Sequence, residues 1–168
     1  TITLPAGLLD EHGQTLGEDV TETVEVGEAQ PMLRQFTTPV VIADPTADPS
    51  IEVVSTNHDQ LHVRTYAVTP GDFPAFAAWL MQAWYGPEAR SLDAPFSVTS
   101  DETIDVEGAG DTPVATAIDL SATIPDGLGH TIVIVEPTET YPTSSELYWS
   151  NRPVVAWVQA THLGLDVI

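Results

Sequence analysis

Gly129-His130-Thr131-Ile132-Val133-Ile134-Val135-Glu136-Pro137 is the stretch that decides the fold class. Its centre is a nearly continuous apolar run rich in β-branched residues, which are stiff at χ1 and suit a pleated surface. Gly129-His130 bounds the run on one side and Glu136-Pro137 on the other. It reads as a buried central strand. Short β-type runs separated by turn residues recur on both sides of it. Downstream, Thr138 to Pro153 is a polar, aromatic-bearing connection, and Val154-Val155-Ala156-Trp157-Val158-Gln159-Ala160 is a last strong strand. Upstream, Glu102 to Val106 alternates, and Ala115 to Thr123 follows the turn-like Gly108 to Pro113.

Further towards the N-terminus, Ile51 to Thr56 and Leu61 to Val68 are strand candidates joined by the turn Asn57-His58-Asp59-Gln60. The pair reads as a hairpin, with Leu61, Val63, Thr65 and Ala67 on one face. Pro39-Val40-Val41-Ile42 precedes a segment containing Pro45 and Pro49, whose prolines argue against a central strand. Glu28 to Pro31 looks like a joint. Thr21 to Val26 alternates, placing Val24 and Val26 on one face and Thr23 and Glu25 on the other. The chain opens on Thr1-Ile2-Thr3-Leu4, a strand with no leader pattern before it. It therefore reads as a piece of a longer polypeptide.

One segment changes period. Asp72 can cap a helix, and Phe73, Phe76, Ala77, Leu80 and Trp84 fall on one helical stripe. Pro74 sits in the first turn, where its missing N–H does little harm, and Gly86-Pro87 is a stop signal. The spacing predicts a helix over about 73–85. Many short strands with one intervening helix predict a mainly β fold, an antiparallel β-sandwich with an inserted α-helix.

Composition narrows the function classes. The chain of 168 residues is 42% hydrophobic, enough for a packed core. It carries 25 acidic residues against 4 basic ones, a formal net charge of −21. The basic residues are Arg34, Arg64, Arg90 and Arg152, and lysine is absent. Such a surface repels nucleic acid and anionic membranes. Salt adaptation or plain solubility explains it more simply than a dedicated acidic binding face. Without cysteine there is no disulfide scaffold, thiol nucleophile or thiolate metal site. No apolar run approaches the length of a membrane-spanning helix.

The order of segments resembles a bacterial alpha-2-macroglobulin-like protein. Thr1 to Gly7, then Asp10 to Gln14 and Thr21 to Gly27, look like the last strands of a bacterial Ig-like domain. Val53 to Asn57, Leu61 to Pro70 and Asp72-Phe73 resemble an early macroglobulin-like (MG) domain, and Gly129 to Pro137 its closing strand. Val155-Ala156-Trp157-Val158-Gln159-Ala160-Thr161-His162-Leu163-Gly164-Leu165 is similar to the strand that opens a following MG domain, although the family carries Asp or Asn where His162 stands. The resemblance implies an MG/fibronectin-III-like sandwich over residues 31–150. Residues 1–30 would be the end of a preceding Ig-like domain, and 151–168 a strand linking to the next MG domain. It also implies a structural module of a large protease-trapping protein, extracytoplasmic and anchored through a lipoprotein signal outside this chain. Its partners would be neighbouring domains and, through the whole protein, proteases. The family's Cys–Gln thioester cannot lie here, and no bait region is identifiable.

Against that stand the candidate chemistries. His12, His58, His62, His130 and His162 are scattered. His58 and His62 lie four apart across a turn and a strand, with His62 expected to face solvent and no further ligand at a diagnostic spacing. The acidic stretches Asp10-Glu11, Asp44 to Asp48 and Asp101 to Asp105 match no calcium loop and read as solvated charge. Carboxylate pairs are too numerous for sequence to single one out as a glycosidase pair. There is no nucleophile elbow, dinucleotide fingerprint or P-loop. The expectation is no catalytic residue, no cofactor and no metal. The candidate interface residues are Trp79 and Met81 on the helix, and Tyr148, Trp149 and Trp157 in an aromatic cluster with Tyr141. The rival readings are a stand-alone extracellular binding module (an adhesin or carbohydrate-binding domain) that uses those rings, and a carboxylate hydrolase.

Overall fold

The computed structural model describes residues 1–85, 93–108 and 110–162. Its strands are β1 (Ile2–Leu4), β2 (Val20–Glu22), β3 (Met32–Leu33), β4 (Val40–Ala43), β5 (Ser50–Thr56), β6 (Gln60–Val68), β7 (Ser100–Asp105), β8 (Val114–Asp119), β9 (Gly129–Pro137) and β10 (Val154–Ala160). Helix α1 (Phe73–Tyr85) lies between β6 and β7, and the short α2 (Glu146–Ser150) between β9 and β10. A five-stranded sheet has the order β4-β10-β9-β6-β7, and a three-stranded sheet the order β3-β5-β8. All pairings are antiparallel except β4 with β10, which is parallel.

Strand β9 lies at the middle of the larger sheet and is covered on both faces. Val133 and Val135 join Leu61, Val63, Ala156 and Val158 in a core shared with Leu33, Val53 and Ile118 of the smaller sheet. Ile132 and Ile134 join Tyr66, Val155 and Trp157 beneath Phe76 and Leu80 of α1. The layers are therefore sheet, sheet and helix. A strand buried on both faces has no polar side to show, which is why β9 reads as a continuous apolar run.

Helix α1 spans the expected residues, with a different start. Thr69 holds the capping position ahead of a 3-10 turn, Pro70–Asp72, that runs into the helix. The Thr69 backbone N–H and Oγ1 both donate to Asp72 Oδ2, each at 2.8 Å. Asp72 therefore reaches back to the cap instead of being it. The Gly86-Pro87 stop lies outside the described residues.

Other expectations change. The β5–β6 hairpin is not a hairpin: β5 pairs with β3 and β8, and β6 with β7 and β9. The turn carries the chain from one sheet to the other. On β6, Tyr66 is buried under the helix and Ala67 is exposed. Strand β2 stops at Glu22, and Val26 beyond it is 90% exposed, with no sheet face to meet. The connection after β9 contains α2. The linking strand expected over 151–168 contributes β10, which lies between β4 and β9 and completes the larger sheet. Strands β1 and β2 form a separate two-stranded unit on which Ile2, Leu9 and Leu16 are exposed.

Gly129 starts β9 with φ +148, and a Cβ there would meet Ile124 Cγ2 at 2.8 Å. Ile124 is itself buried in the sandwich core. Gly129→Ala is expected to lower stability by about 1–3 kcal/mol through backbone strain and crowding, read as a shift in denaturant midpoint at unchanged slope.

Candidate functional site

Strand β9 ends at Pro137, and the chain needs sixteen residues, 138–153, to return as β10. This crossover forms one wall of an open groove of about 870 Å³, with the C-terminal part of α1 as the other. Trp84, Glu136, Glu139, Tyr141, Tyr148 and Arg152 are among its lining residues. Ser145 caps α2, its Oγ accepting from the Leu147 N–H at 3.2 Å. The Arg152 guanidinium lies 5.8 Å from the Trp84 ring centre and 5.6 Å from that of Trp149. Tyr148 meets Trp149 edge-on at 5.4 Å.

A charge cluster occupies the part of the sheet that α1 leaves open. His62 Nε2 lies 2.6 Å from Asp101 Oδ1, and Nδ1 lies 3.0 Å from Glu136 Oε1. Arg64 donates to the same Glu136 oxygen at 3.0 Å and faces Asp93 at 3.8 Å. His62 is thus half-buried and partnered, not simply solvent-facing. The hydrogen bond to Asp101 raises its pKa above the ordinary 6.5, burial opposes that rise, and Glu136 adds to it. The stabilisation from this imidazolium is complete below 6.5 and is lost as pH climbs through the raised folded value. As pH rises from 6.5 through the raised folded value, wild type should therefore lose stability relative to His62→Gln. Urea midpoints of both proteins across that range check this.

A second histidine is enclosed at the floor of the crossover. The His58 side chain is fully buried. Its Nε2 lies 2.7 Å from Asn151 Oδ1 and its Nδ1 3.2 Å from Glu139 Oε2, with the Tyr141 ring edge-on at 6.4 Å. Asn151 Nδ2 donates to the carbonyls of Pro31 and Leu147, both at 2.8 Å. The preceding residue, Asn57, sits at φ 53 opposite Asp111 at φ 61, conformations that suit Asn and Asp better than most residues. Asn57 Nδ2 donates to Ala29 O at 2.7 Å and to Asp111 Oδ1 at 2.9 Å. Asp111 Oδ1 also accepts the Ala29 N–H at 2.7 Å. These bonds hold the Asp111 carboxyl below its ordinary pKa, the Asn57 contact first. Asn57 of the β5–β6 turn thus fastens the joint, 28–31, directly at Ala29, and His58 reaches it at Pro31 only through Asn151.

The remaining expected residues fall as follows. Trp149 is 64% exposed and Met81 59% exposed. Tyr148 and Trp79 are half-buried, Trp79 against Phe76 at 6.1 Å. Trp157 is no surface residue: it is 2% exposed, packed on Phe73 and Phe76, with Nε1 donating to His130 Nδ1 at 3.2 Å. It alternates onto the helix-covered face of β10, which removes it from any aromatic surface cluster. Two of the acidic stretches serve local turns, while in the third Asp101 meets His62 across strands. Asp44 accepts from Thr46 N–H and Oγ1, and Asp10 accepts the N–H groups of His12 and Gln14. Among the described residues, no group of three or more His, Cys, Asp or Glu is placed to hold a metal ion. Sequence reasoning missed the His58–Asn151 pair, whose members are 93 positions apart.

No family model matches the sequence, and no curated protein matches it. Solved structures do match. A crystal structure of native Escherichia coli alpha-2-macroglobulin spanning domains MG0-NIE-MG1 superposes with a TM-score of 0.51 at 15% identity, covering 93% of this chain and 48% of that one. The native E. coli protein seen by cryo-electron microscopy gives a TM-score of 0.54 at 15% identity, covering 94% of this chain and 10% of that one. An NIE-MG1 crystal structure gives 0.50 at 15% identity, covering 77% and 60%. The chain spans about half the length of the first fragment and a tenth of the whole protein. What is shared at this identity is the fold: a mainly β, sandwich-based arrangement like the MG-domain region of bacterial alpha-2-macroglobulins.

Proposed function

We propose that this chain is a structural module of a large bacterial alpha-2-macroglobulin-like protein that traps proteases. The observation that supports the reading is that the likeness in fold covers 93–94% of this chain. In this reading residues 1–30 end a preceding Ig-like domain, and the MG-like sandwich follows. The chain leads towards a further MG domain once β10 has completed the larger sheet. The residues act as framework, holding neighbouring domains in register while bait and thioester chemistry lie elsewhere in the polypeptide. Trp79, Met81 and Trp149 are the contact points for those neighbours. The protein works outside the cytoplasm, anchored through a lipoprotein signal in the parent. Among the described residues, no helix is long and apolar enough to cross a membrane. The full sequence of the parent gene tests the proposal: an array of MG domains should follow this segment, and its absence would refute the reading.

One observation favours a second reading. Trp149 stands exposed beside an open groove that also presents Tyr141 and Tyr148. A glycan-binding module would use such rings as stacking platforms. A glycan array should return a signal that Trp149→Ala abolishes if this reading holds. A blank array leaves the framework reading alone.

A further inference from the structure

Among the described residues, each sheet of the sandwich ends in strands with a partner on one side only. Three of these edges offer a further strand little. Strand β7 carries Asp101, Glu102 and Asp105. Strand β3 has two residues, and β8 ends on Asp119 and otherwise exposes only Ala115 and Ala117. Strand β4 is different. Val40-Val41-Ile42-Ala43 has no charge, in a chain of net charge −21, and its Val40 and Ile42 are 37% and 52% exposed. The direction of its free backbone groups follows from one bond. Pro39 O accepts the Trp157 N–H of β10 at 2.7 Å, so the backbone groups of Pro39, Val41 and Ala43 face β10. Alternate residues of a strand point their N–H and C=O groups to opposite sides, so those of Val40 and Ile42 face outward. Thr38 Oγ1 donates to Val40 O at 2.7 Å, which uses one of that carbonyl's two lone pairs. Val40 is in register with Trp157, and Phe73, 41% exposed, meets that indole edge-on at 5.2 Å. The edge and the start of α1 thus share one apolar strip.

We infer that β4 is the pairing edge for a second copy of this chain, joined antiparallel across a two-fold axis that passes through Val41 normal to the larger sheet. In that register Val40 stands opposite Ile42 of the second copy, and Ile42 opposite Val40 of the second copy. These are the residues whose backbone groups face outward, so each such pair exchanges both of its hydrogen bonds. Their side chains also meet, apolar against apolar, on the face that carries α1. Val41 meets its own counterpart on the sandwich face. Asp44 falls opposite Thr38, so no two carboxylates face each other across the seam. This register is what singles out a second copy: an uncharged edge with alternating exposed Val and Ile is matched by itself, and no other edge of the sandwich offers that complement. The contact is isologous and continues the larger sheet from one copy into the next. The seam is short, which places it among the small, weak interfaces. The net charge of −21 on each copy opposes it. Those charges act over about 10 Å at 0.1 M salt and only about 3 Å at 1 M. The pairing therefore forms in concentrated salt and comes apart in dilute salt, the reverse of a contact held by ion pairs.

Sedimentation equilibrium of the chain in about 0.05 M and about 1 M sodium chloride, at up to about 1 mM protein, tests this. The mass should stay that of one copy in dilute salt and approach two copies in concentrated salt. By NMR, the amides of Val40 and Ile42 should exchange about tenfold slower in the dimer, while those of Val41 and Ala43, which face β10, change little. Ile42→Pro removes an outward donor and puts its ring in the seam, and Ile42→Lys puts a charge there. Each should weaken the dimer about tenfold or more. Ile42 is half exposed and its N–H faces away from β10, so both variants are expected to fold. Leu9→Ser removes a similarly exposed side chain from the loop between β1 and β2 and should leave the dimer unchanged. The inference is overturned if the chain stays single in concentrated salt, or if a dimer forms with Val40 and Ile42 exchanging as before. It is equally overturned if the dimer survives both Ile42 variants or dissolves in Leu9→Ser. A chain that stays single, yet whose Val40 and Ile42 amides are protected by a lysine-flanked Val-Thr peptide, would overturn it in favour of a foreign strand.

Discussion

Replacing Trp157 by alanine is expected to lower the stability of this chain by about 3–5 kcal/mol, the range for losing a large buried aromatic. The indole lies between the larger sheet and α1, where Phe73 meets it edge-on at 5.2 Å and Phe76 packs at 5.4 Å. Removing it leaves a cavity that the helix can only partly close, because β10 is held in register by β9 on one side and β4 on the other. It also leaves His130 Nδ1 without its donor. Were Trp157 a ring for a partner, the same substitution would change stability by about 0.5 kcal/mol or less. Urea unfolding followed by far-ultraviolet circular dichroism separates the two outcomes. Trp149→Ala, at an exposed position in the 138–153 crossover, serves as the control.

The second large effect is expected at Asn151. Asn151→Ala deletes one donor group and one acceptor and strands three partners: His58 Nε2, Pro31 O and Leu147 O. A buried polar group left without a partner costs about 1–3 kcal/mol, and water entering from the groove offsets part of that. The net loss should be about 2–4 kcal/mol. It should be accompanied by faster proteolysis at the joint, 28–31, because the Pro31 fastening is gone. Asn151→Asp should not rescue. A carboxylate accepts from His58 but cannot donate to either carbonyl. Thermal melts and a trypsin-free protease such as thermolysin read both effects.

How far the sequence is legible depends on whether an element announces itself locally. Strand β9 and helix α1 do, since each carries its own burial pattern in consecutive residues. The Thr69 cap is local too, but Asp72 is misread because Asp suits both the capping position and the position three residues later. The sheet change between β5 and β6 is not legible. An alternating pair joined by a short turn looks the same whether the strands pair or cross a sandwich. Trp157 is misread for a related reason: on a strand buried on both faces, alternation no longer separates inside from outside. Helix α2, Glu146–Ser150, is too short for a period to show. The His58 site is the hardest case. Its partners Glu139 and Asn151 are 81 and 93 positions away, and a histidine in a polar turn gives no sign that the crossover will close over it.

The alternation expected over Thr21 to Val26 teaches the same lesson from the other side. Its pattern is a strand's, yet pairing stops at Glu22. Alternation supplies a face but not a second layer to bury it, and a two-stranded unit offers little apolar surface to meet. In the framework reading that missing layer belongs to the rest of the preceding domain.

The most direct test of the framework claim uses the parent polypeptide. It would be mixed with an endoprotease, the first cleavage site identified by mass spectrometry, and retention of the protease followed by size-exclusion chromatography. The account predicts a first cut outside residues 1–168, with the protease co-eluting with the cleaved polypeptide. A first cut inside this segment, or a protease that elutes free, would contradict it.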